Sequence, residues 1–316
     1  MASPLIQTVD LVKYFDTPRG KLHAVDKVNL YIDRGETLGV VGESGCGKST
    51  LGRTILRLIE PTSGDILFDG QSIAGYNKKQ MNSMREKMQI IFQDPFTSLN
   101  PRMTVSNIIA EPIRVSKKIT NKKELQERVE YLMDMVGLAP RFINTFPHEL
   151  DGGRRQRIGI ARALALDPAF IVCDEPVSAL DVSIQAQVLN LMMDLQENMG
   201  LTYMFVTHDM SVVKHISQRI MVMYLGQSVE MAHTDDLFDN PLHPYTRALL
   251  DAILVPSIRH RKELKILEGE VTSPIEPKPG CRFADRCPHA TEDCRKHDFP
   301  LREVQKGHFV ACRLYE

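Results

Sequence analysis

The sequence predicts an α/β protein whose mostly parallel sheet is covered by helices on both faces. Short apolar runs such as Thr37–Val41 and residues 170–173 are typical of buried central strands. In the second half of the chain such runs alternate with segments of helical spacing, for example residues 184–198. Strands that alternate with helices form parallel sheets, because each helix crosses back over the sheet before the next strand begins.

The N-terminal part predicts three strands, one helix and a hairpin. A turn at residues 33–36 precedes the run Thr37–Val41, and Asp69 and Gly70 are typical hairpin-turn residues. A helix is expected to begin at Lys48. The predicted elements are strands at 5–12, 25–32 and Thr37–Val41, a helix from residue 48 to about 58, and a hairpin around 64–68.

The remainder of the chain predicts a second helical region and a C-terminal appendage. Residues 98 to about 165 are mainly helical, with the clearest apolar spacing in 122–136. Strands at 202–207 and Arg219–Tyr224 and a helix at 210–215 follow. Prolines interrupt the chain beyond residue 240. We therefore predict a domain at 1–240, with a helical subdomain at about 98–165, and an appendage at 241–316 joined by a helix at 243–253.

Composition and charge exclude several classes of protein. Apolar residues make up 43% of the chain and charged residues 25%, the balance of an ordinary globular protein. A net charge of −1 argues against a nucleic-acid binder. No apolar run approaches the roughly 20 residues that span a bilayer, and the N-terminus does not resemble a signal peptide. We expect a cytosolic chain that reaches a membrane only through partner subunits.

A glycine-rich motif at residues 42–50 is the strongest local signal. It has the form G-x-x-x-x-G-K-[ST], follows a predicted strand and opens a predicted helix. Backbone N–H groups of such a loop wrap phosphates, Lys48 reaches the β- and γ-phosphates, and Ser49 ligates Mg²⁺. The alternative is a glycine-rich turn without that role. The predicted nucleotide contacts are Gly42, Ser44, Gly45, Cys46, Gly47, Lys48, Ser49 and Thr50.

Two carboxylates follow the apolar strand at 170–173. Asp174 is expected to hold the Mg²⁺ shell and Glu175 to polarise the attacking water. The alternative is that this Asp-Glu pair only caps the end of the strand.

In their order along the chain, the motifs resemble those of an ABC-transporter ATPase across about residues 5–240. Any one of them is weak alone, whereas the ordered set is highly specific. Besides the phosphate loop and the Asp-Glu pair, the resemblance rests on Gln93 (Q-loop), residues 150–157 (signature motif), residues 178–181 (D-loop), His208 (switch histidine) and Phe15 or its neighbour Tyr14 (adenine stacking).

The resemblance implies a P-loop NTPase (RecA-like) core with an antiparallel β-subdomain and a helical subdomain. It implies Glu175, His208 and Gln93 as catalytic residues, and Mg²⁺ held by Ser49, Gln93 and Asp174. Two ATPase subunits of this family enclose two ATP molecules, so the signature residues Asp151, Gly152 and Gly153 are expected to face the partner's ATP.

The signature departs from the family pattern Leu-Ser-Gly-Gly-Gln. Asp151 replaces the serine, and Arg154 replaces the glutamine. An ionised carboxylate cannot donate a hydrogen bond to a phosphate and repels it at short range. Either Asp151 turns aside to cap the following helix, with Arg154 or Arg155 compensating its charge, or the partner's ATP site is weakened.

The appendage narrows the resemblance. Residues 240–250 are similar to the start of the C-terminal extension of oligopeptide and dipeptide importer ATPases, and the resemblance implies a [4Fe–4S] cluster on the cysteines that follow. Four thiolates suit an iron–sulfur cluster or a zinc ion. The close cysteine pairs of typical zinc sites are missing from this sequence. A zinc site and four unligated thiols are the two alternatives to the cluster. The cysteines are Cys281, Cys287, Cys294 and Cys312.

The smaller sites have simpler interpretations. Cys46 and Cys173 are expected to be packing residues. His289, His297 and His308 are candidate ligands near the cysteines, but we expect them to lie at the surface.

We therefore predict the ATP-hydrolysing subunit of a dipeptide or oligopeptide ABC importer, peripheral to the cytoplasmic face of the membrane. The expected partners are a second, non-identical ATPase subunit, two permease subunits and an extracytoplasmic solute-binding protein. A nickel or other small-solute importer of the same subfamily is the first alternative. A soluble ABC-type ATPase acting on DNA or translation is remote, because the chain has one cassette and no sustained heptads. A non-hydrolysing regulatory subunit is supported only by the altered signature.

Overall fold

A computed structural model describes residues 3–253 and 273–316 of the chain. The chain forms two compact units. Unit 1 comprises the described parts of Met1–Ile32, Thr37–Ala74 and Val206–Glu316, and unit 2 comprises Asp33–Glu36 and Gly75–Phe205. Among the described residues, no helix has the length and apolar character needed to cross a membrane.

The elements follow one another as strands and helices in mixed order. The strands are β1 (Ile6–Thr17), β2 (Gly20–Ile32), β3 (Thr37–Val41), β4 (Ser63–Phe68), β5 (Gln71–Ser72), β6 (Met88–Ile91), β7 (Phe170–Asp174), β8 (Thr202–Val206), β9 (Arg219–Tyr224), β10 (Gln227–His233), β11 (Arg302–Gln305) and β12 (His308–Val310). The helices are α1 (Lys48–Ile55), α2 (Lys78–Lys87), α3 (Pro95–Ser98), α4 (Val105–Ser116), α5 (Lys122–Met135), α6 (Gly152–Leu164), α7 (Val182–Met199), α8 (Met210–Ile216), α9 (Thr234–Asp239) and α10 (Pro244–Asp251).

Unit 1 contains an antiparallel sheet of order β2-β1-β4-β5. The expected antiparallel part is therefore present, with β1 longer than predicted because it continues to Thr17 and pairs there with Gly20. A second group of strands pairs β3 with β9 in parallel, in the register Leu38↔Arg219. From β9 the group continues antiparallel through β10 and β12 to β11.

Unit 2 contains the strands β8, β7 and β6, which are neighbours in that order across the sheet. Strands β6 and β7 are parallel, in the register Met88↔Phe170. Every residue of β7 is buried, as the continuous apolar run predicts. Helix α4 packs against α5 and α6, so the predicted helical region is present. The elements α2 and β6 were not predicted, because the α2 sequence is mostly polar and the four residues of β6 are too few for a clear period.

The appendage shares the core of unit 1. Tyr245 of α10 and Phe283 belong to the same buried cluster as Val222 and Tyr224 of β9. Strand β12 pairs with β10, so the fold joins segments on both sides of the predicted boundary at residue 240. Strand β10 was missed because its run carries Glu230 at an apolar position. That carboxylate is fully buried and accepts hydrogen bonds from the N–H groups of Leu242 and His243.

Candidate functional site

The phosphate loop leads from β3 into α1 in unit 1, and its glycines are required by shape. Gly42 has a φ of 154°, and a Cβ there would lie 2.2 Å from the carbonyl oxygen of Met223. Gly47 has a φ of 102°, and a Cβ there would lie 2.0 Å from the carbonyl oxygen of Ala24. Both approaches are to backbone atoms, so a side chain at either position would displace the chain.

Lys48 is turned into the loop itself. Its ammonium donates to the carbonyl oxygens of Gly42 at 2.8 Å and Glu43 at 3.0 Å, and the residue is 4% exposed. Cys46 is also buried, and burial raises the pKa of its thiol. Cys46 is therefore a neutral packing group inside the loop, as is the fully buried Cys173 in β7.

The two predicted carboxylates and the Q-loop glutamine lie in unit 2. Asp174 ends β7 and is 1% exposed. Glu175 has a φ of 47°, a left-handed conformation that is unusual for this residue type. The side-chain amide of Gln93 donates to Oε2 of Glu175 at 2.9 Å. The structure thus brings Gln93 and Glu175 together and holds the Glu175 backbone in a strained conformation.

The signature segment opens α6 in unit 2. Asp151 is the N-cap of that helix: its Oδ1 accepts from the N–H of Arg154 at 2.8 Å, and its Oδ2 lies 2.5 Å from Nη1 of Arg154. This is the geometry of the capping alternative. A Cβ on Gly152 would lie 3.2 Å from Cδ2 of Leu180, and one on Gly153 would lie 2.6 Å from Cγ2 of Ile184. The two glycines therefore allow α6 to approach the segment that begins α7.

The remaining predicted nucleotide residues belong to unit 1. Ser49 and Thr50 lie in the first turn of α1, and His208 is exposed between β8 and α8. Phe15 lies under the ammonium of Lys13, 4.9 Å from the ring centroid.

Tyr14, next to Phe15 in the chain, has one face of its ring covered by another side chain. The Tyr14 ring stacks on His23 at a centroid distance of 3.8 Å, and its hydroxyl donates to Asp26 at 2.5 Å. Burial and that hydrogen bond raise the pKa of the Tyr14 hydroxyl.

The four clustered cysteines line one small cavity of about 40 Å³ in unit 1. Burial, with smaller contributions from the three neighbouring thiols, raises the pKa of Cys281 to about 11. Burial also raises the pKa values of Cys287 and Cys312. Within residues 3–253 and 273–316, no three His, Cys, Asp or Glu side chains are arranged to hold a metal ion.

The three histidines near the cysteines differ from one another. His289 lines the same cavity, and His297 is exposed and contacts Asp293 at 2.8 Å. The expectation that His308 lies at the surface is wrong. His308 is 1% exposed, and its Nε2 lies 2.7 Å from Oε1 of the buried Glu230.

Sequence reasoning missed the residues that hold the phosphate loop from outside. Glu43 contacts Arg286 and Tyr245, which lie more than 200 positions away in the chain. The one available signal was a charged residue inside a glycine-rich loop, which does not identify a partner.

The comparisons with known proteins agree with this geometry. The family described as ABC transporter matches residues 25–178. The family described as oligopeptide/dipeptide transporter, C-terminal region, matches residues 229–294.

Several curated proteins are similar along nearly the whole chain. The oligopeptide transport ATP-binding protein AppF of Bacillus subtilis (strain 168) is 51% identical, over 98% of this chain and 97% of its own length. The oligopeptide transport ATP-binding protein OppF of Escherichia coli (strain K12) is 50% identical, over 98% of this chain and 95% of its own length. A putative peptide import ATP-binding protein of Brucella ovis is 51% identical over 98% of both chains.

Solved structures are similar over most of the chain. The ATP-binding cassette MJ0796 in a dimeric post-hydrolysis state bound to ADP and Pi has a TM-score of 0.67 and 29% identity, covering 72% of this chain and 98% of that one. The cbiO1 protein from Clostridium perfringens, part of the transporter complex cbiONQ, also has a TM-score of 0.67, with 27% identity over 75% of this chain and 92% of its own. The chain therefore belongs to the ABC transporter ATP-binding proteins and carries a C-terminal region of the oligopeptide/dipeptide transporter type.

Proposed function

We propose that this chain is the ATP-hydrolysing subunit of an ABC importer of dipeptides or oligopeptides. The observation that carries the proposal is the combination, in one chain, of an intact phosphate loop with the C-terminal region of peptide transporters. Similarity to peptide-import ATP-binding proteins along nearly the full length supports it. An importer of nickel or another small solute would share these features, because the ATPase does not contact the solute.

The chemistry assigned to each residue follows from its place in the fold. On nucleotide binding, Lys48 exchanges its bonds to the carbonyls of Gly42 and Glu43 for phosphate oxygens. Glu175 polarises the attacking water, and its contact with Gln93 orients the carboxylate. We assign Mg²⁺ to Ser49, Gln93 and Asp174, whose oxygen donors suit that ion. An ion held by these residues would supply charge neutralisation at the phosphates.

Exposure supports the assignment of partner subunits. Asp151 and Arg154 of the signature segment have side chains 55% and 45% exposed. Phe96, three residues after Gln93, is 63% exposed, and the guanidinium of Arg155 lies 3.5 Å from its ring centroid. An exposed aromatic ring stacked on arginine is typical of a binding surface. We assign the signature segment to a second ATPase subunit and the Phe96 surface to a permease at the cytoplasmic face.

The test is uptake by the complete transporter. Proteoliposomes with this chain, its partner ATPase, permeases and solute-binding protein should import a labelled peptide when Mg-ATP is present on the ATPase side. Glu175→Gln should retain ATP binding and lose uptake. Nickel uptake without peptide uptake would favour the small-solute alternative, and full activity of Glu175→Gln would contradict the catalytic assignment.

We also propose that Cys281, Cys287, Cys294 and Cys312 hold a [4Fe–4S] cluster, with zinc as the alternative. Four thiols around one cavity fit either group in the number and type of donors. Burial raises the pKa of Cys281 to about 11, so that thiol is neutral until a metal displaces its proton. A bound cluster would crosslink the proline-rich appendage, and its role would be structural because import needs no redox step.

Metal analysis separates the alternatives. Protein purified without oxygen should contain about four irons and four sulfides per chain, with a broad band near about 400 nm. Colourless protein with about one zinc would identify a zinc site instead. Cys287→Ser should lose the bound metal, whereas Cys173→Ser should retain it because Cys173 lies in β7 and does not line the cavity.

A further inference from the structure

The segment between the first two clustered cysteines contacts the phosphate loop directly. Arg286 immediately precedes Cys287, and its Nη1 lies 3.0 Å from both carboxylate oxygens of Glu43. The side chains of Arg286 and Glu43 are 9% and 28% exposed. A pair shielded to this extent is screened less by solvent than a surface ion pair.

A second contact holds the backbone of the same loop residue. The N–H of Glu43 donates to the hydroxyl of Tyr245 at 2.9 Å. Tyr245 is fully buried and packs edge-on against Tyr224, at a centroid distance of 4.7 Å, and near Phe283 at 5.4 Å. The backbone and the side chain of Glu43 are therefore both fixed by groups in the C-terminal part of the chain.

The position of Glu43 affects Lys48. The carbonyl of Glu43 is one of the two loop acceptors of the Lys48 ammonium. Burial lowers the pKa of Arg286, but its hydrogen bonds to Glu43 and Tyr224 outweigh that effect and raise it. Arg286 thus remains charged, and hydrogen bonds from a charged donor are among the stronger ones in proteins.

The other end of the segment is also held by contacts within unit 1. Arg282, immediately after Cys281, donates to the carboxylate of Asp26 and to the carbonyl of Leu225. The side chains of Arg282 and Asp26 are 6% and 11% exposed. Gly226, which follows Leu225 in the chain, donates its N–H to the carbonyl of Cys46 in the phosphate loop at 2.8 Å. Segment 281–287 is therefore fixed at both ends, so Arg286 is presented to Glu43 from a rigid base.

We propose that Arg286 is a positioning residue for nucleotide binding. Through Glu43 it holds the phosphate loop in the conformation that receives the phosphates, and in this way segment 281–287 increases the affinity of the chain for ATP. The inference rests on the proposed ATPase function. It concerns a contact of this chain's own side chains and does not depend on which group the cysteines bind.

The test is a double-mutant cycle on nucleotide affinity. The Kd of Mg-ATP for the full-length chain would be measured by calorimetry for wild type, Arg286→Ala, Glu43→Gln and the double variant. Each single change should weaken binding about tenfold, the size expected for one charge-assisted contact. The double variant should be no weaker than either single variant, because the two residues act as one pair. Arg286→Lys keeps the charge but cannot reproduce the guanidinium geometry, and should restore part of the affinity.

Two further variants separate positioning from general stability. Arg295→Ala removes an exposed ion pair with Asp285 in the same appendage and should leave the Kd unchanged. Tyr245→Phe keeps the buried ring and removes only the acceptor of the Glu43 N–H, so it should weaken binding less than Arg286→Ala does. Glu43→Gln and Tyr245→Phe carry the test if Arg286→Ala fails to fold.

The inference is overturned if wild type binds Mg-ATP and Arg286→Ala and Glu43→Gln bind it equally well. It is also overturned if the two single effects add in the double variant, or if Arg295→Ala weakens binding to the same extent. Absence of Mg-ATP binding by wild type would contradict the proposed function itself, which is a distinguishable result.

Discussion

The phosphate loop and the signature segment each pair a carboxylate with an arginine, but the two pairs differ in reach. Glu43 and Arg286 are 243 positions apart, and Arg286 is 9% exposed. Asp151 and Arg154 are three positions apart, with side chains about half exposed. Long-range contacts therefore fix the phosphate loop, whereas the Asp151–Arg154 pair forms within the first turn of α6 and is about half exposed. The difference fits the two proposed roles, a phosphate loop held in place before nucleotide binds and a signature segment open to a second ATPase subunit.

The largest effect is expected at Lys48, because its substitution should remove a contact to the phosphates without unfolding the phosphate loop. Lys48→Ala removes the ammonium that we assign to the phosphates and should lower ATP turnover about 100- to 1,000-fold. Thermal protection by Mg-ATP, measured by differential scanning fluorimetry, should also disappear. Protection equal to that of wild type would show that the loop does not bind the phosphates.

The second prediction tests the long-range contacts of unit 1 at Asp26. Burial raises the pKa of Asp26, but its bonds to Tyr14 and Arg282 outweigh that effect and lower it. Asp26→Asn leaves Arg282 buried without its charge partner and should cost about 3 kcal/mol of unfolding free energy at pH 7.

The sign of the pH dependence follows from that lowered pKa. The unfolded chain binds a proton at Asp26 below about pH 4, before the folded chain does, so stability due to this group falls as pH falls. The gap between wild type and Asp26→Asn should therefore be full at pH 7 and shrink below about pH 4. Denaturant unfolding at several pH values measures it, and a gap that grows in acid would contradict the assignment.

These pairs show how far the sequence alone could lead. The strand Thr37–Val41, the helix start at Lys48 and the capping of α6 by Asp151 depend on neighbours within a few residues, so local patterns predict them. The contact of Arg286 with Glu43 depends on how distant segments meet, which no local period encodes.

Buried polar residues misled the sequence prediction for the same reason. Glu230 and His308 look like surface residues in isolation, but each satisfies the other across β10 and β12. The position of the four cysteines around one cavity could be expected from their clustering, but the identity of their ligand could not.

The third prediction addresses packing beneath the signature. A Cβ at Gly153 would lie 2.6 Å from Cγ2 of Ile184, so Gly153→Ala should destabilise the chain by about 2 kcal/mol through overpacking. Adding Ile184→Val, which keeps Cγ1 and Cγ2, should restore little, whereas Ile184→Ala should restore more. Thermal unfolding of the three variants gives the comparison, and full stability of Gly153→Ala would show that α6 can shift at no cost.

The smallest effect is expected at Asp151, because its contacts are local and exposed. Asp151→Ala removes the helix cap and should cost about 1 kcal/mol, while Asp151→Ser keeps a capping oxygen and should cost less. If the carboxylate weakens the partner's ATP site, Asp151→Ser should also raise ATP turnover of the assembled transporter. Unchanged turnover would indicate that the cap and Arg154 already neutralise it.

The most direct test of the contrast between the two regions is a calorimetric titration of the isolated chain with Mg-ATP, followed by a hydrolysis assay of the same sample. We predict one nucleotide bound per chain and slow turnover that rises when the partner ATPase and permeases are added. Failure of the isolated chain to bind nucleotide, or full turnover without partners, would contradict a preformed phosphate loop paired with a partner-dependent signature.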